Sequence, residues 1–185
     1  MEEQLWKACS EGKVEEVIKL LQNSQINTNW QKQSKYGSTP FSIACQKGYI
    51  EIVKILLNDQ RVDITKATNS GWTPFHSVCN NGHIEIVKLL LNDKRIADIN
   101  KATDDNGWTP FNCACCNGHI DIVKYLLESG REIDINKKDN KGKSGLDYAK
   151  EHRSTDIVQL IESFQRSPNE TRANLRKELA IGKFF

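Results

Sequence analysis

The chain predicts an all-α repeat solenoid, and three observations carry that prediction. The phrase Gly-x-Thr-Pro-Phe begins at Gly37, Gly71 and Gly107, at steps of 34 and 36 residues. A nearly fixed interval of that length marks a stack of small like units. Each phrase is followed by an apolar run at helical spacing: Ile50, Val53, Leu56 and Leu57 in the first copy. Between copies lie polar tips, Asn69-Ser70-Gly71, Asp105-Asn106-Gly107 and Asn140-Lys141-Gly142, which read as hairpin signals.

Taken in order, Leu5 to Gly12 and then Val14 to Leu21 read as a helix pair without its own hairpin, since Met1 leaves no room for one. Trp6 is expected as a core or cap residue of that pair. In the next unit Thr39 can cap a helix with its hydroxyl. Pro40 suits the first helical position, where its missing N–H is no loss. Gly48 ends that helix, because the turn out of it favours positive φ. The following units repeat this plan. Their second helices carry Ile84, Ile86, Val87, Leu89, Leu90 and Leu91, then Ile120, Ile122, Val123, Tyr125, Leu126 and Leu127. After them come extended or turn-like residues such as Val62-Asp63-Ile64 and Ile133-Asp134-Ile135-Asn136. The last unit, from Gly142 to Ile161, lacks Thr-Pro. Arg153 stands where the glycine between helices should be, and Glu162 where the others have leucine. Polar substitution on an outer face is what a terminal unit needs for solubility.

Helix, turn, helix, loop and hairpin in about 34 residues resembles the ankyrin repeat. The residues that match are Thr39-Pro40-Phe41, Thr73-Pro74-Phe75-His76, Thr109-Pro110-Phe111, Gly82-His83-Ile84-Glu85-Ile86-Val87 and Gly118-His119-Ile120-Asp121-Ile122-Val123. The resemblance implies five helix-turn-helix units joined by β-hairpin loops, at about 1–29, 30–65, 66–100, 101–136 and 137–164, the outer two acting as caps. Residues 165–185 then form an extra C-terminal helix and tail. It also implies that the His83 and His119 rings bond backbone near the hairpins, and that Asn100 and Asn136 could accept hydroxylation.

Composition narrows the function. A net charge of +2 lacks the concentrated basic face of a nucleic-acid binder. No apolar run reaches the roughly 18 residues of a membrane span, and Met1-Glu2-Glu3-Gln4 is no signal core. The cytoplasm is therefore the expected compartment, with the nucleus second. Asn169-Glu170-Thr171 matches a glycosylation acceptor that this setting leaves unused.

Cys9, Cys45, Cys79 and Cys115 share one repeat position. Equivalent atoms of stacked helices lie about 8–10 Å apart, too far for a disulfide. They are expected as small buried fillers. Cys113, Cys115 and Cys116 point in different directions along one helix and make no zinc set. Cys116 faces outward in the family and is a candidate reactive thiol. The four histidines lack a His-Glu-x-x-His spacing, and Gly142-Lys143-Ser144 lacks the first glycine of a phosphate loop, Lys137 standing there. Glu51 with Lys54, Glu85 with Lys88 and Asp121 with Lys124 read as surface ion pairs. No catalytic residue, metal or cofactor is expected.

A stack of this kind has a face rather than a central pocket, and its expected work is to hold a protein or peptide, as adaptor or scaffold, from a monomer. Free-standing inhibition of an enzyme and service as the recruitment domain of a larger protein are the alternatives. By position in the repeat, partner contacts fall to Tyr36, Ser70, Asn106 and Lys141 before the tip glycines, and to Ser38, Trp72, Trp108 and Lys143 after them. The late first-helix residues Gln46, Lys47, Asn80, Asn81, Cys116 and Asn117 join these, with Trp30 from a longer first finger. Trp72 and Trp108 read equally as anchors or as residues packed on a neighbouring finger. The asparagines and lysines suit a partner of acidic character. Ser167, Pro168 and Glu170 signal the start of the last helix and Gly182 its end; the helix is expected to dock on the final repeat, the alternative being a linker or partner helix. Phe184-Phe185 must pack back or meet something.

Overall fold

The computed structural model describes residues 1–181. The expectations for Gly182 and for Phe184-Phe185 lie outside the described residues. The helices are α1 (Glu2–Glu11), α2 (Val14–Leu21), α3 (Pro40–Lys47), α4 (Ile50–Asn58), α5 (Pro74–Asn81), α6 (Ile84–Asn92), α7 (Pro110–Cys116), α8 (Ile120–Glu128), α9 (Gly145–Glu151), α10 (Thr155–Arg166) and α11 (Pro168–Ile181). They fall in two compact units, the first covering residues 1–97 with 103–105 and the second 98–102 with 106 onward.

Local chemistry starts the first helices. The hydroxyl of Thr39 accepts from Ser42 N–H while the Ser42 side chain accepts from Thr39 N–H, closing a reciprocal cap. Thr73 with His76 and Ser144 with Asp147 do the same. His76 is fully buried, its Nδ1 2.7 Å from the Thr73 hydroxyl, so its role is structural. In α7 only half of the cap forms: Thr109 accepts from Asn112 N–H, and the buried Asn112 Oδ1 has no partner.

In the first unit α1, α3 and α5 pack in one row, while α2, α4 and α6 form a second row behind them. Leu5, Phe41, Ile52, Leu56, Ile86 and Leu90 are sealed between the rows. Burial of each such side chain is worth about 1.5–3 kcal/mol, so the rows supply what a lone helix pair cannot. In the second unit α7 packs on α9, α8 and α9 each pack on α10, and α11 lies on α8 and α10. The tail helix therefore docks across two repeats rather than on the last alone. Leu175 is its buried residue, and Arg172 lies 5.0 Å from the centre of the Phe164 ring. Arg176 pairs with Glu128 at 3.4 Å. Lys124, expected to pair with Asp121, instead reaches Glu178 of α11 at 2.5 Å. The two exposed pairs Glu51–Lys54 and Glu85–Lys88 form as expected, at 3.3 and 2.6 Å.

The hairpin detail is not observed: the described residues contain no β-strand. Three fingers close on a bond across the turn, Lys32 N–H to Ser38 O at 3.0 Å, Thr68 N–H to Trp72 O at 3.0 Å and Asp139 N–H to Lys143 O at 2.9 Å, beside one bond from the tip glycine N–H within each turn. That is too short for a ladder. Fingers join one another through one backbone bond per step, Asn69 N–H to Tyr36 O and Asp104 N–H to Ser70 O in the first unit, Asn140 N–H to Asn106 O in the second.

Two departures of the last repeat have clear causes. Arg153 takes the left-handed turn at φ 58° that glycine takes in the other units. Gly145 replaces the helix-start proline because a Cβ there would sit 2.9 Å from the Phe111 ring.

All six cysteines are free, and only Cys116 is not fully buried. Burial pushes the Cys9 thiol up to about 12 and raises Cys45, Cys113 and Cys115 as well. His83 Nε2 lies 3.1 Å from the carbonyl of Gln46, at the end of a first helix. The bond is to backbone, as expected, but away from the fingers.

Candidate functional site

A surface groove of roughly 300 Å³ or more can seat a few side chains. The first unit holds one of ≈ 460 Å³, lined by Trp6, Ser10, Lys35, Tyr36, Ser38, Ile43, Gln46 and Lys47. Four residues expected to contact a partner, Tyr36, Ser38, Gln46 and Lys47, meet there. The helices α1 and α3 form its floor, and the first finger forms its wall.

The first finger is built to raise an aromatic ring. Gln33–Lys35 make a single 3-10 turn, and Tyr36 follows at φ 57°. A bulky residue rarely adopts that left-handed conformation. The Tyr36 carbonyl accepts from Asn69 N–H at 2.9 Å, which fixes the turn from the neighbouring finger. The Tyr36 side chain gains little from packing, because the residue remains 80% exposed.

Ser38 differs from the expectation of an exposed contact: it is buried, and its hydroxyl accepts from Trp6 Nε1–H at 3.1 Å. The reason is geometric. The next two fingers carry tryptophan at this position, whereas here the small serine makes room for an indole supplied by α1. Ser38 thus orients Trp6 at the groove floor. The Lys32 ammonium lies 4.7 Å from the centre of that indole and pairs with Glu3 at 2.7 Å. The hydrogen bond and charge of Lys32 hold the Glu3 carboxyl below its ordinary value. Lys35 and Lys47 make no ion pair among the described residues.

The remaining candidates are not part of this lining. Trp30 and Ser70 are half-buried. Trp72 is half-buried too, donating from Nε1 to the Ser77 hydroxyl at 3.1 Å with its ring centre 5.4 Å from that of His76. Asn80 is half-buried, and the exposed Asn81 amide folds back to Ser77 O at 2.8 Å. In the second unit Trp108 is half-buried, its ring centre 4.9 Å from that of Tyr148. Both indoles therefore pack within their own units, and both residues stay half-buried. Asn106 is half-buried, and Asn117 and Lys141 are exposed. Lys143 pairs with Glu151 at 2.7 Å, its ammonium 5.6 Å from the Tyr148 ring centre.

Cys116 lies 3.6 Å from His152 Nε2. Burial and the Glu151 carboxylate push its thiol above the ordinary value, the reverse of what an activated nucleophile needs. Asn100, a candidate for hydroxylation, is clamped at both ends of its amide: Nδ2 donates to Glu132 O at 2.6 Å, and Oδ1 accepts from Asp134 N–H at 2.9 Å. Asn136 Oδ1 accepts from Gln165 Nε2 at 3.0 Å.

Sequence reasoning missed Trp6, Ser10, Lys35 and Ile43 as groove residues. Ser10 was within reach, since it stands one repeat before Gln46. Trp6 was not, because its place at the groove floor depends on how small Ser38 is.

Among the described residues no helix is long and apolar enough to cross a membrane. In comparisons with known proteins, the family model described as Ankyrin repeats (3 copies) matches residues 5–102, 60–139 and 96–171. No curated protein matches the chain.

Proposed function

The chain belongs to the ankyrin-repeat family, whose members generally serve as protein–protein interaction modules, and from that premise we propose that it is a non-catalytic adaptor or scaffold that holds a partner protein in the groove of its first unit. The observation that carries this reading is Tyr36. An aromatic side chain kept 80% exposed on a left-handed turn is a costly arrangement that packing inside the unit does not repay. Aromatic residues presented beside a concave, partly apolar surface are frequent anchors of protein interfaces. The α3 residues Gln46 and Lys47 extend the contact, and Trp72 offers the exposed part of its ring as a secondary one. The protein acts as a monomer in the cytoplasm, and its partner is a protein rather than a nucleic acid.

The test is affinity purification with the full chain as bait, followed by direct binding measurements on each recovered partner. Gln46→Ala with Lys47→Ala should weaken the interaction by about tenfold, since a few residues dominate such surfaces, while the thermal melt stays unchanged. A partner held equally well by the folded double variant would remove the groove from the account.

A further inference from the structure

The charge of the groove narrows what can occupy it. Its lining contains two charged side chains, Lys35 and Lys47, both cationic, and no carboxylate. Cations on the adjoining elements are already answered: Lys32 of the first finger pairs with Glu3 at 2.7 Å, and Lys13 after α1 pairs with Glu11 at 2.7 Å. Lys7 has Glu11 at 3.9 Å. Lys35 and Lys47, one on the finger and one at the end of α3, make no ion pair among the described residues, and no carboxylate in the groove lining answers them. The same lining holds the exposed Tyr36 ring and, at its floor, the nearly buried Trp6 and Ile43 side chains, among polar groups of Ser10, Ser38 and Gln46. Two unanswered cations beside an aromatic floor complement a segment that carries both a carboxylate and an apolar side chain.

We propose that the groove binds an acidic peptide segment of the partner protein, in which an aspartate or glutamate is met by Lys35 and Lys47 while an adjacent apolar side chain rests against Tyr36 and Ile43. This rests on the reading of the groove as the partner site and specifies the chemistry of its occupant. Two lysines with one exposed ring are too sparse to follow a nucleic-acid backbone, which demands a continuous basic track.

The full chain is panned against a display library of random peptides roughly twelve residues long, long enough to cross such a groove. Recovered peptides should be enriched in aspartate and glutamate beside leucine or aromatic residues. Titration of one such peptide should show about tenfold weaker binding to Lys35→Glu with Lys47→Glu. Raised salt should weaken wild-type binding more than that of the charge-reversed variant. Tyr36→Asn separates recognition from folding, because asparagine tolerates the left-handed turn. It should lose binding while keeping or raising the melting temperature. Neutral or basic peptides that bind and are lost with Tyr36→Asn would overturn the acidic preference and leave the groove standing as the partner site. Failure to enrich any peptide, or binding indifferent to Tyr36→Asn, would overturn both. Tighter binding of oligouridylate than of any acidic peptide, lost on charge reversal, would replace the proposal with a nucleic-acid site.

Discussion

Asp139 anchors the last finger with a buried carboxylate. Tyr148 donates its hydroxyl at 2.5 Å, and the N–H groups of Lys141 and Lys143 donate at 2.9 Å each. Burial pushes the carboxyl up, but the bonds from Tyr148, Lys143, Lys141 and the Trp108 side chain outweigh it and hold the group below its ordinary value. Such a depressed carboxylate stabilises the fold fully above the unfolded value of about 3.9, and the contribution is lost as pH falls through the folded one. Asp139→Asn should therefore lower stability at neutral pH by about 1–3 kcal/mol. The gap to wild type, read from urea midpoints, should shrink as the pH approaches 3. An undiminished gap in acid would assign the loss to shape rather than charge. Arg153 invites the opposite change. Its φ of 58° costs an ordinary side chain about 1–2 kcal/mol, part of which glycine returns as unfolded-state entropy. Arg153→Gly should raise stability by roughly 0.5–1 kcal/mol in the same assay.

The helices show how one element can take over the work of another. The arginine after α4 donates from Arg61 to Leu21 O at 2.8 Å, closing the C-terminal carbonyls of α2. Arg95, after α6, does the same for Leu57 O of α4 at 2.9 Å. For α8 the donor is Arg172, at 3.1 Å to Leu127 O, and it comes from α11. The tail helix thus supplies a contact that a following repeat's loop supplies elsewhere, and it covers the exposed side of α8 and α10. Leu175→Ala should cost about 2–3 kcal/mol locally and speed amide exchange in α11 and the end of α8, with α1–α4 unchanged. Equal exchange in the variant and wild type would mean that α11 does not stabilise α8. At the start of α9, Gly145→Pro would restore the family's helix-start proline, yet it should destabilise by about 1–3 kcal/mol because the ring would overpack Phe111 and Cys115. A raised melting temperature would contradict that close approach.

For the molecule as a whole, the thiols report on the cores of both units. Five of the six cysteines are buried, and burial raises the thiol pKa of four of them. A thiol-specific reagent near pH 8 should modify Cys116 alone in the native protein, slowly, and all six thiols after denaturation. Rapid native labelling of a second cysteine would show that one of the two cores opens. The same arrangement explains why the repeats carry so small a residue at one position. A neighbouring first helix in the row leaves no room for a larger one.

The sequence by itself determined the repeat, its helix pairs and their caps. Threonine, proline and glycine act within a few residues of themselves, and a period near 35 residues leaves one way to bury paired apolar stripes. Tyr36, Gln46 and Lys47 were legible as surface positions for the same reason. Only the tertiary structure decided what depends on residues a repeat or more apart. That Ser38 turns inward to orient Trp6, that Lys124 leaves Asp121 for Glu178, and that the fingers stop short of strands are outcomes of competition among neighbours in space. Local propensity has no term for that competition.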